Sequence, residues 1–322
     1  MEMAIIGLGK MGMGIALRAL EQNIKVVGLT RSNAPEQLIE QGLIEVHQIE
    51  ELIANTSSPR NIFLYIPSGK AIDEYVEQFA RLLNEDDIVI DGGNSYWGDS
   101  IRRYHFLASK KIHFIDLGTS GGISGARNGA CFMVGGDSEA YEMLVPVLDK
   151  LSTQNGHAYI GPAGSGHLVK LIHNGIEFGM LQAIGEGMAL IERFKELISL
   201  DMEAVFKTYR HGSVIRSWLI DLMAQQYKEQ GGFSRIPAYV EDTGEVNWLL
   251  NDAIHLEVPI PIINLSVMEI FRSRDEIKND YKSVAMMRHA FGGHPFGPMD
   301  ELKLERKKSR ISSEFSEEQY EH

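Results

Sequence analysis

One cysteine, Cys131, stands in 322 residues, so no internal disulfide can form and a reducing compartment, the cytoplasm, is expected. No apolar run approaches the roughly 18 residues that a membrane span requires, and no membrane association is expected. The opening MEMAIIGLG lacks the basic, then apolar, then small-residue order of a secretory leader. Positive charge is scarce as well. Lys and Arg number 31 against 44 Asp and Glu, and the net charge of −13 argues against broad binding to nucleic acid or an anionic bilayer. The histidines form no convincing ligand cluster, so no metal is expected. Apolar residues are few in ERKKSRISSEFSEEQYEH, and the polar tail over 301–322 is expected to be poorly ordered.

What the chain does contain is ordinary globular material, 44% hydrophobic and 23% charged, at a length suited to about two domains. Apolar runs at Met3–Ile6, Lys25–Leu29, Ile62–Ile66, Ile88–Ile90, Phe114–Leu117 and Cys131–Val134 alternate with helical periodicity or glycine turns, and a short HAYIG follows at 157–161. Such alternation predicts an α/β Rossmann-type, doubly wound dinucleotide-binding domain over residues 1–163. The pattern then turns helical from about Gly164 to Phe206, Val214 to Tyr227, Asn247 to His255 and Pro261 to Phe291, which predicts an all-α helical domain over 164–300.

Directly after the first strand comes GLGKMG, comprising Gly7, Leu8, Gly9, Lys10, Met11 and Gly12. Its glycines allow a tight turn and close approach of backbone to a pyrophosphate, and the helix that follows offers its N-terminus to the phosphates. At the end of the second strand, where an acidic residue would bond the ribose 2′-hydroxyl of NAD, stand Thr30, Arg31 and Ser32. An arginine between two hydroxyls suits a 2′-phosphate, so NADP is expected, with NAD as the alternative.

Two glycine-rich segments, DGGNSYWGDS and LGTSGGISGARNGACFMVGG, follow later strand ends, where open α/β sheets bind ligands. Asn94, Ser95, Thr119 and Ser120 beside Gly-Gly pairs offer uncharged donors and backbone N–H groups to a polyhydroxylated or carboxylated ligand. In GSGHLVKLIHNGIEFGMLQ, residues 164–182, helical periodicity sets Lys170, His173, Asn174 and Glu177 within one arc of about 100°. A solvated helix face would look similar, but Gly164, Gly166, Gly175, Gly179, Gly185 and Gly187 weaken a merely exposed helix and fit close packing against a ligand, cofactor or backbone. A lysine and a carboxyl group among apolar walls make a candidate base and a candidate acid.

In order and spacing, GLGKMG, DGGNS, GTSGG, the stretch from Gly164 to Gly179 and FGGH at 291–294 resemble the decarboxylating 6-phosphogluconate dehydrogenases, in their short form, over nearly the whole chain to His294. The related 3-hydroxyacid dehydrogenases share the lysine but typically carry Asn-Asn where His173-Asn174 stands. The resemblance implies oxidation and decarboxylation of a phosphorylated aldonate by NAD(P), with Lys170 as base and then acid at the 3-hydroxyl and Glu177 as the acid at C1. It also implies that Asn94, Ser120, Gly121, Gly122, His173 and Asn174 hold the substrate's carboxylate and hydroxyls, Asn94 lying against the cofactor too. Homodimers or higher homo-oligomers are implied, in which Arg288 and His294 reach the phosphate in the neighbouring subunit. Three positions depart from the family: Phe178 replaces a common Tyr, Asn247 a basic residue, and Ile270 an arginine, although Arg272 and Arg274 lie nearby. These departures admit an aldonate with a different distal group, and a non-catalytic nucleotide-binding protein is the third reading.

Overall fold

The computed structural model describes residues 1–301 and 303. The chain forms two compact units, Met1–Gly175 with Gly244–Val258, and Ile176–Thr243 with the residues from Pro259 onward. Residue 302 and residues 304–322, most of the expected polar tail, lie outside the described residues.

The first unit is built on strands β1 (Glu2–Ile6), β2 (Lys25–Leu29), β3 (Ile44–Val46), β4 (Asn61–Leu64), β5 (Ile88–Asp91), β6 (His113–Ser120), β7 (Ala130–Gly135) and β8 (Ser152–Gly161). Helices α1 (Lys10–Glu21), α2 (Glu36–Glu40), α3 (Ile49–Ala54), α4 (Lys70–Leu82), α5 (Trp97–Ala108), α6 (Gly122–Asn128) and α7 (Ser138–Leu151) connect them. The strands form one sheet in the order β3-β2-β1-β4-β5-β6-β7-β8, parallel except where β7 runs against β6. Continuous apolar runs such as Met3–Ile6 suit strands covered on both faces. Ile5, Phe63, Ile90 and Leu117 accordingly join one buried cluster, while Ala4, Ile6, Leu64 and Val89 join another. The sheet thus matches the doubly wound expectation.

β3 was not legible in the sequence. It is three residues with a central Glu, too short to show a period, and it exists by pairing Val27 with Ile44 and Leu29 with Val46. β8 also begins five residues before the expected HAYIG, at Ser152.

The remaining helices are α8 (Ser165–Ile198), α9 (Met202–Arg210), α10 (Trp218–Gln230), α11 (Val246–His255), α12 (Pro261–Arg274) and α13 (Asn279–Gly292). Two stretches read as continuous are interrupted. After Ile198 the helix stops, and Asp201 starts α9 by accepting hydrogen bonds from the Glu203 and Ala204 N–H groups. Asp275 similarly accepts from Ile277 and Lys278 N–H, separating α12 from α13. In the second unit Met188, Met202 and Phe206 form a core with Ile184, Ile191 and Tyr209. By contrast α13 buries none of its residues, although it carries Val284, Met286, Met287 and Phe291.

At the edge of the sheet where β4 and β5 begin, the fully buried Asp87 carboxylate accepts from Ser58 Oγ, Arg60 N–H and Asn84 N–H and pairs with Arg60 Nη1 at 2.8 Å. Removing one partner of a buried ion pair strands the other. Asp87→Ala is therefore expected to lower the unfolding free energy of this unit by about 3 kcal/mol, read as an earlier urea midpoint; an unchanged midpoint would refute this role.

Candidate active site

The strand ends that carry the glycine motifs share the opposite edge of the sheet. Gly7 leaves β1 at φ +94°, and any side chain on Gly12 would collide with the Gly7 carbonyl, so the β1–α1 turn is closed as tightly as backbone permits. α1 begins after Gly9, whose missing side chain cannot cap it, and its first turn holds no acidic residue. Its N–H groups suit a pyrophosphate. Beside this turn lies a cavity of about 280 Å³ lined by Gly7, Thr30, Arg31, Ile66, Pro67 and Tyr75 among others. An apolar slot that ends on an arginine and a hydroxyl fits the adenosine half of NAD(P). Thr30 is steadied by His47, whose Nδ1 lies 3.1 Å from the Thr30 carbonyl oxygen, and Thr30 Oγ1 accepts from Ser32 N–H.

Next along the edge is the loop after β5. Asp91 is fully buried, and its carboxylate accepts from Gly93 N–H at 3.1 Å and Ser95 Oγ at 2.7 Å. This leaves Asn94 at the exposed crest, its Nδ2 3.4 Å from Glu245 Oε1. The Tyr65 ring lies against Gly92, where a Cβ would come within 2.7 Å of it, and the Tyr65 hydroxyl lies 3.2 Å from Thr119 Oγ1. Burial, with a smaller push from Asp91, drives ionisation of this phenol far above its ordinary range, against the Thr119 hydrogen bond. It therefore remains a neutral hydroxyl joining the β5 and β6 ends.

The face of β6 formed by Asp116, Gly118 and Ser120 receives the first turns of α8. Strand alternation directs all three toward the same side. Asp116, fully buried, accepts from Gly164 N–H at 2.8 Å and His167 N–H at 2.9 Å. Two residues on, a Cβ at Gly118 would stand 2.6 Å from Lys170 Cβ, and one at Gly166 would collide with the Asp116 carbonyl. At the strand's end Ser120 Oγ lies 3.1 Å from His173 Nε2. His173 Nδ1 is 3.5 Å from Lys170 Nζ and 3.3 Å from Asn174 Oδ1. Lys170, His173, Asn174 and Ser120 are thereby gathered, with Gly121 and Gly122 following at φ +111° and +58° as α6 opens.

Of the residues on this helix, Lys170, His173, Asn174 and Glu177 are all half-buried, whereas Ile172 is 39% and Ile176 53% exposed. A solvated charged face would show the reverse. The polar stripe is partly covered. Among the six glycines singled out, Gly166 meets backbone closely, while Gly185 and Gly187 have nothing within 4 Å among the described residues. Glu177 and Phe178 follow on α8 in the second unit, both half-buried. Within that unit Arg288 Nη2 lies 3.5 Å from His294 Nε2. The arginines near Ile270 are already engaged: Arg272 donates to Glu269 at 3.0 Å, and Arg274 to Asp242 at 2.6 Å and Glu241 at 3.1 Å.

Sequence reading missed Asp116 and Tyr65. Asp116 had a signal, a carboxylate inside an otherwise apolar strand, two residues before a site glycine. Tyr65 had none, since an aromatic at a strand end is ordinary. Among the described residues no group of three or more His, Cys, Asp or Glu side chains is placed to hold a metal, and no helix is long and apolar enough to cross a membrane.

Comparison with known proteins agrees with this layout. Residues 2–161 match the NAD-binding domain of 6-phosphogluconate dehydrogenase, and residues 166–308 match the 6-phosphogluconate dehydrogenase C-terminal domain. The YqeC protein of Bacillus subtilis is 39% identical over 295 residues, 91% of this chain and 98% of its own length. An NAD(+)-dependent, decarboxylating 6-phosphogluconate dehydrogenase of Haloferax volcanii is 35% identical over 304 residues, 94% of this chain and all (100%) of its own. Among solved structures, 6-phosphogluconate dehydrogenase of Plasmodium falciparum, studied with NADP+ and with 6-phosphogluconate, superposes with a TM-score of 0.77 at 28% identity, over 94% of this chain and 68% of that one. Both halves of the chain, matched in order and over nearly their full extent, place it in the 6-phosphogluconate dehydrogenase family.

Proposed function

We propose that the protein converts 6-phosphogluconate to ribulose 5-phosphate and carbon dioxide while reducing NADP, with NAD as the alternative cofactor. The observation that carries this reading is the Lys170–His173–Ser120 cluster, a candidate base 3.5 Å from an imidazole that in turn lies 3.1 Å from a hydroxyl, on a helix pinned to the sheet. Bound NAD(P) supplies the hydride acceptor. Gly7 to Gly12 hold the pyrophosphate, and Thr30, Arg31 and Ser32 hold the ribose and its 2′-phosphate. The Haloferax relative is named for NAD and the Plasmodium one was studied with NADP, so both nucleotides occur among the chain's relatives.

Lys170 takes the proton of the 3-hydroxyl as C3 is oxidised. The product is a β-keto acid, from which carbon dioxide departs while the bonding electrons move toward the ketone oxygen. Lys170, now protonated, returns its proton to that oxygen, and Glu177 delivers one to C1 of the enediol. His173, Asn174, Ser120 and the Gly121–Gly122 backbone orient the hydroxyls and carboxylate, with Asn94 between substrate and cofactor. In this reading residues 1–163 serve the cofactor, residues 164–300 complete the substrate site, and Arg288 and His294 serve the phosphate of a neighbouring subunit. The uncovered apolar side chains of α13 and the open Gly185 and Gly187 support a homodimer or larger homo-oligomer, and the single cysteine a cytoplasmic setting.

A second reading has its own observation. Phe178, Asn247 and Ile270 offer no charge to a phosphate, and Arg272 and Arg274 are paired with acidic side chains, so an aldonate with another distal group is the alternative substrate.

An assay of 6-phosphogluconate with NADP and with NAD, following reduced nucleotide and released carbon dioxide, tests the proposal; turnover of an unphosphorylated or otherwise substituted aldonate alone would favour the second reading. Lys170→Ala is expected to lower kcat by about 10³-fold, and near-native turnover would remove it as the base. In Glu177→Ala oxidation should persist in part while formation of the ketopentose phosphate slows by roughly 10²-fold; equal loss in both steps would contradict its separate role. Arg31→Ala should raise KM for NADP about tenfold and leave KM for NAD nearly unchanged, whereas equal shifts would exclude contact with the 2′-phosphate.

A further inference from the structure

Arg103, on α5, is fully buried. Its Nε donates to Asp73 Oδ1 at 2.8 Å and its Nη2 to the Gly69 carbonyl at 3.1 Å, while Nη1 lies 3.4 Å from Asp91 Oδ2. A buried guanidinium is tolerated only where its donors and charge are met, and the acceptors chosen here are informative. Gly69 caps α4 and Asp73 lies in its first turn, directly after Ile66 and Pro67, which wall the nucleotide cavity together with Ala71 and Tyr75. Asp91 is the carboxylate that shapes the Gly93–Ser95 turn and so presents Asn94. Arg102 binds the same Asp73 carboxylate from the solvent side at 2.9 Å. Burial works against ionisation of Asp73, yet the two arginines together hold its carboxyl below the usual range.

We propose that Arg103 is a positioning residue that ties the cofactor loop to the substrate loop. Its planar fork fixes the start of α4 on one side and, through Asp91, the height and direction of Asn94 on the other. Lysine retains the charge but has one nitrogen in place of three, and it cannot satisfy Asp73, Gly69 and Asp91 in their separate directions. Arginine is required by geometry rather than by charge alone. The proposal rests on the reading of the 66–75 segment and of Asn94 as ligand-contacting.

The test compares wild type, Arg103→Lys and the surface control Lys110→Ala, at an exposed residue just past α5, in the full chain. Binding is followed by fluorescence titration with whichever of NADPH and NADH the wild type binds more tightly, and turnover by steady-state kinetics with 6-phosphogluconate. Arg103→Lys should raise both the Kd for reduced nucleotide and the Michaelis constant for the sugar-acid substrate about tenfold, with a much smaller fall in kcat at saturation, because bound ligands restore the loop positions. Lys110→Ala should match wild type in both. A lowered Tm with both constants within about twofold of wild type would assign Arg103 a structural role only and overturn the proposal. Should Arg103→Lys fail to fold, Asp73→Asn, at a partly exposed site, decides through the nucleotide Kd alone: a several-fold rise supports the clamp and an unchanged value refutes it. The nucleotide titration needs no substrate, so a wild type that binds nucleotide but does not turn over 6-phosphogluconate would refute the proposed substrate while leaving the clamp measurable.

Discussion

The contact on which the site depends is the one between the Asp116 carboxylate and the first turn of α8. A fully buried carboxylate is destabilising unless its charge is met. Here the Gly164 and His167 N–H groups point at it from the helix's positive end. The bond does more than cap a helix. It fixes the axial position of α8 against β6, and Gly118 and Gly166 then let the backbones close until Lys170 Cβ stands over the strand. With that register set, Ser120 meets His173, and His173 meets Lys170. A carboxylate that touches no reacting atom thus decides where the candidate base stands.

Asp91 has the corresponding role one strand away. Asp91 and Asp116 are register partners in the β5–β6 pairing, and both direct their oxygens to backbone or loop donors. Asp91 shapes the turn that presents Asn94, and Asp116 holds the helix that presents Lys170. Tyr65 spans their strands, with its ring under Gly92 and its hydroxyl at Thr119. The polar groups of the candidate site are therefore supported by a buried polar layer, whose carboxylates each have several partners. In a low dielectric such a layer is rigid when satisfied, which is what proton transfer at a defined atom requires.

The second unit has a different character. Its core is small, centred on Met188, Met202 and Phe206, while α13 leaves Val284, Met286, Met287 and Phe291 uncovered. Apolar surface of that extent on a helical unit is characteristic of an interaction face, which supports the proposed homo-oligomer. Arg272 and Arg274 lie near Ile270 in the chain, and each is paired with a carboxylate of its own unit.

Much of this was legible in the residues alone. Apolar runs marked six of the eight strands, because buried strands need unbroken hydrophobic stretches, HAYIG marked a seventh, and the glycine motifs marked the edge at which they end. Helical spacing placed Lys170, His173, Asn174 and Glu177 on one stripe, since that arrangement depends only on local helix geometry. Local pattern could not reveal β3, whose three residues are a strand only through pairing with β2, or the breaks at Asp201 and Asp275, where a side chain takes backbone N–H groups from the helix. Nor could it say that the polar stripe of α8 is half-buried while Ile172 and Ile176 are more exposed. By itself the sequence determined which groups could do chemistry and on which helix face they lie. Tertiary structure alone decided that Asp116, Gly118 and Ser120 receive that face, because burial and long-range hydrogen bonds exist only once strand and helix, some 50 residues apart in the chain, have met.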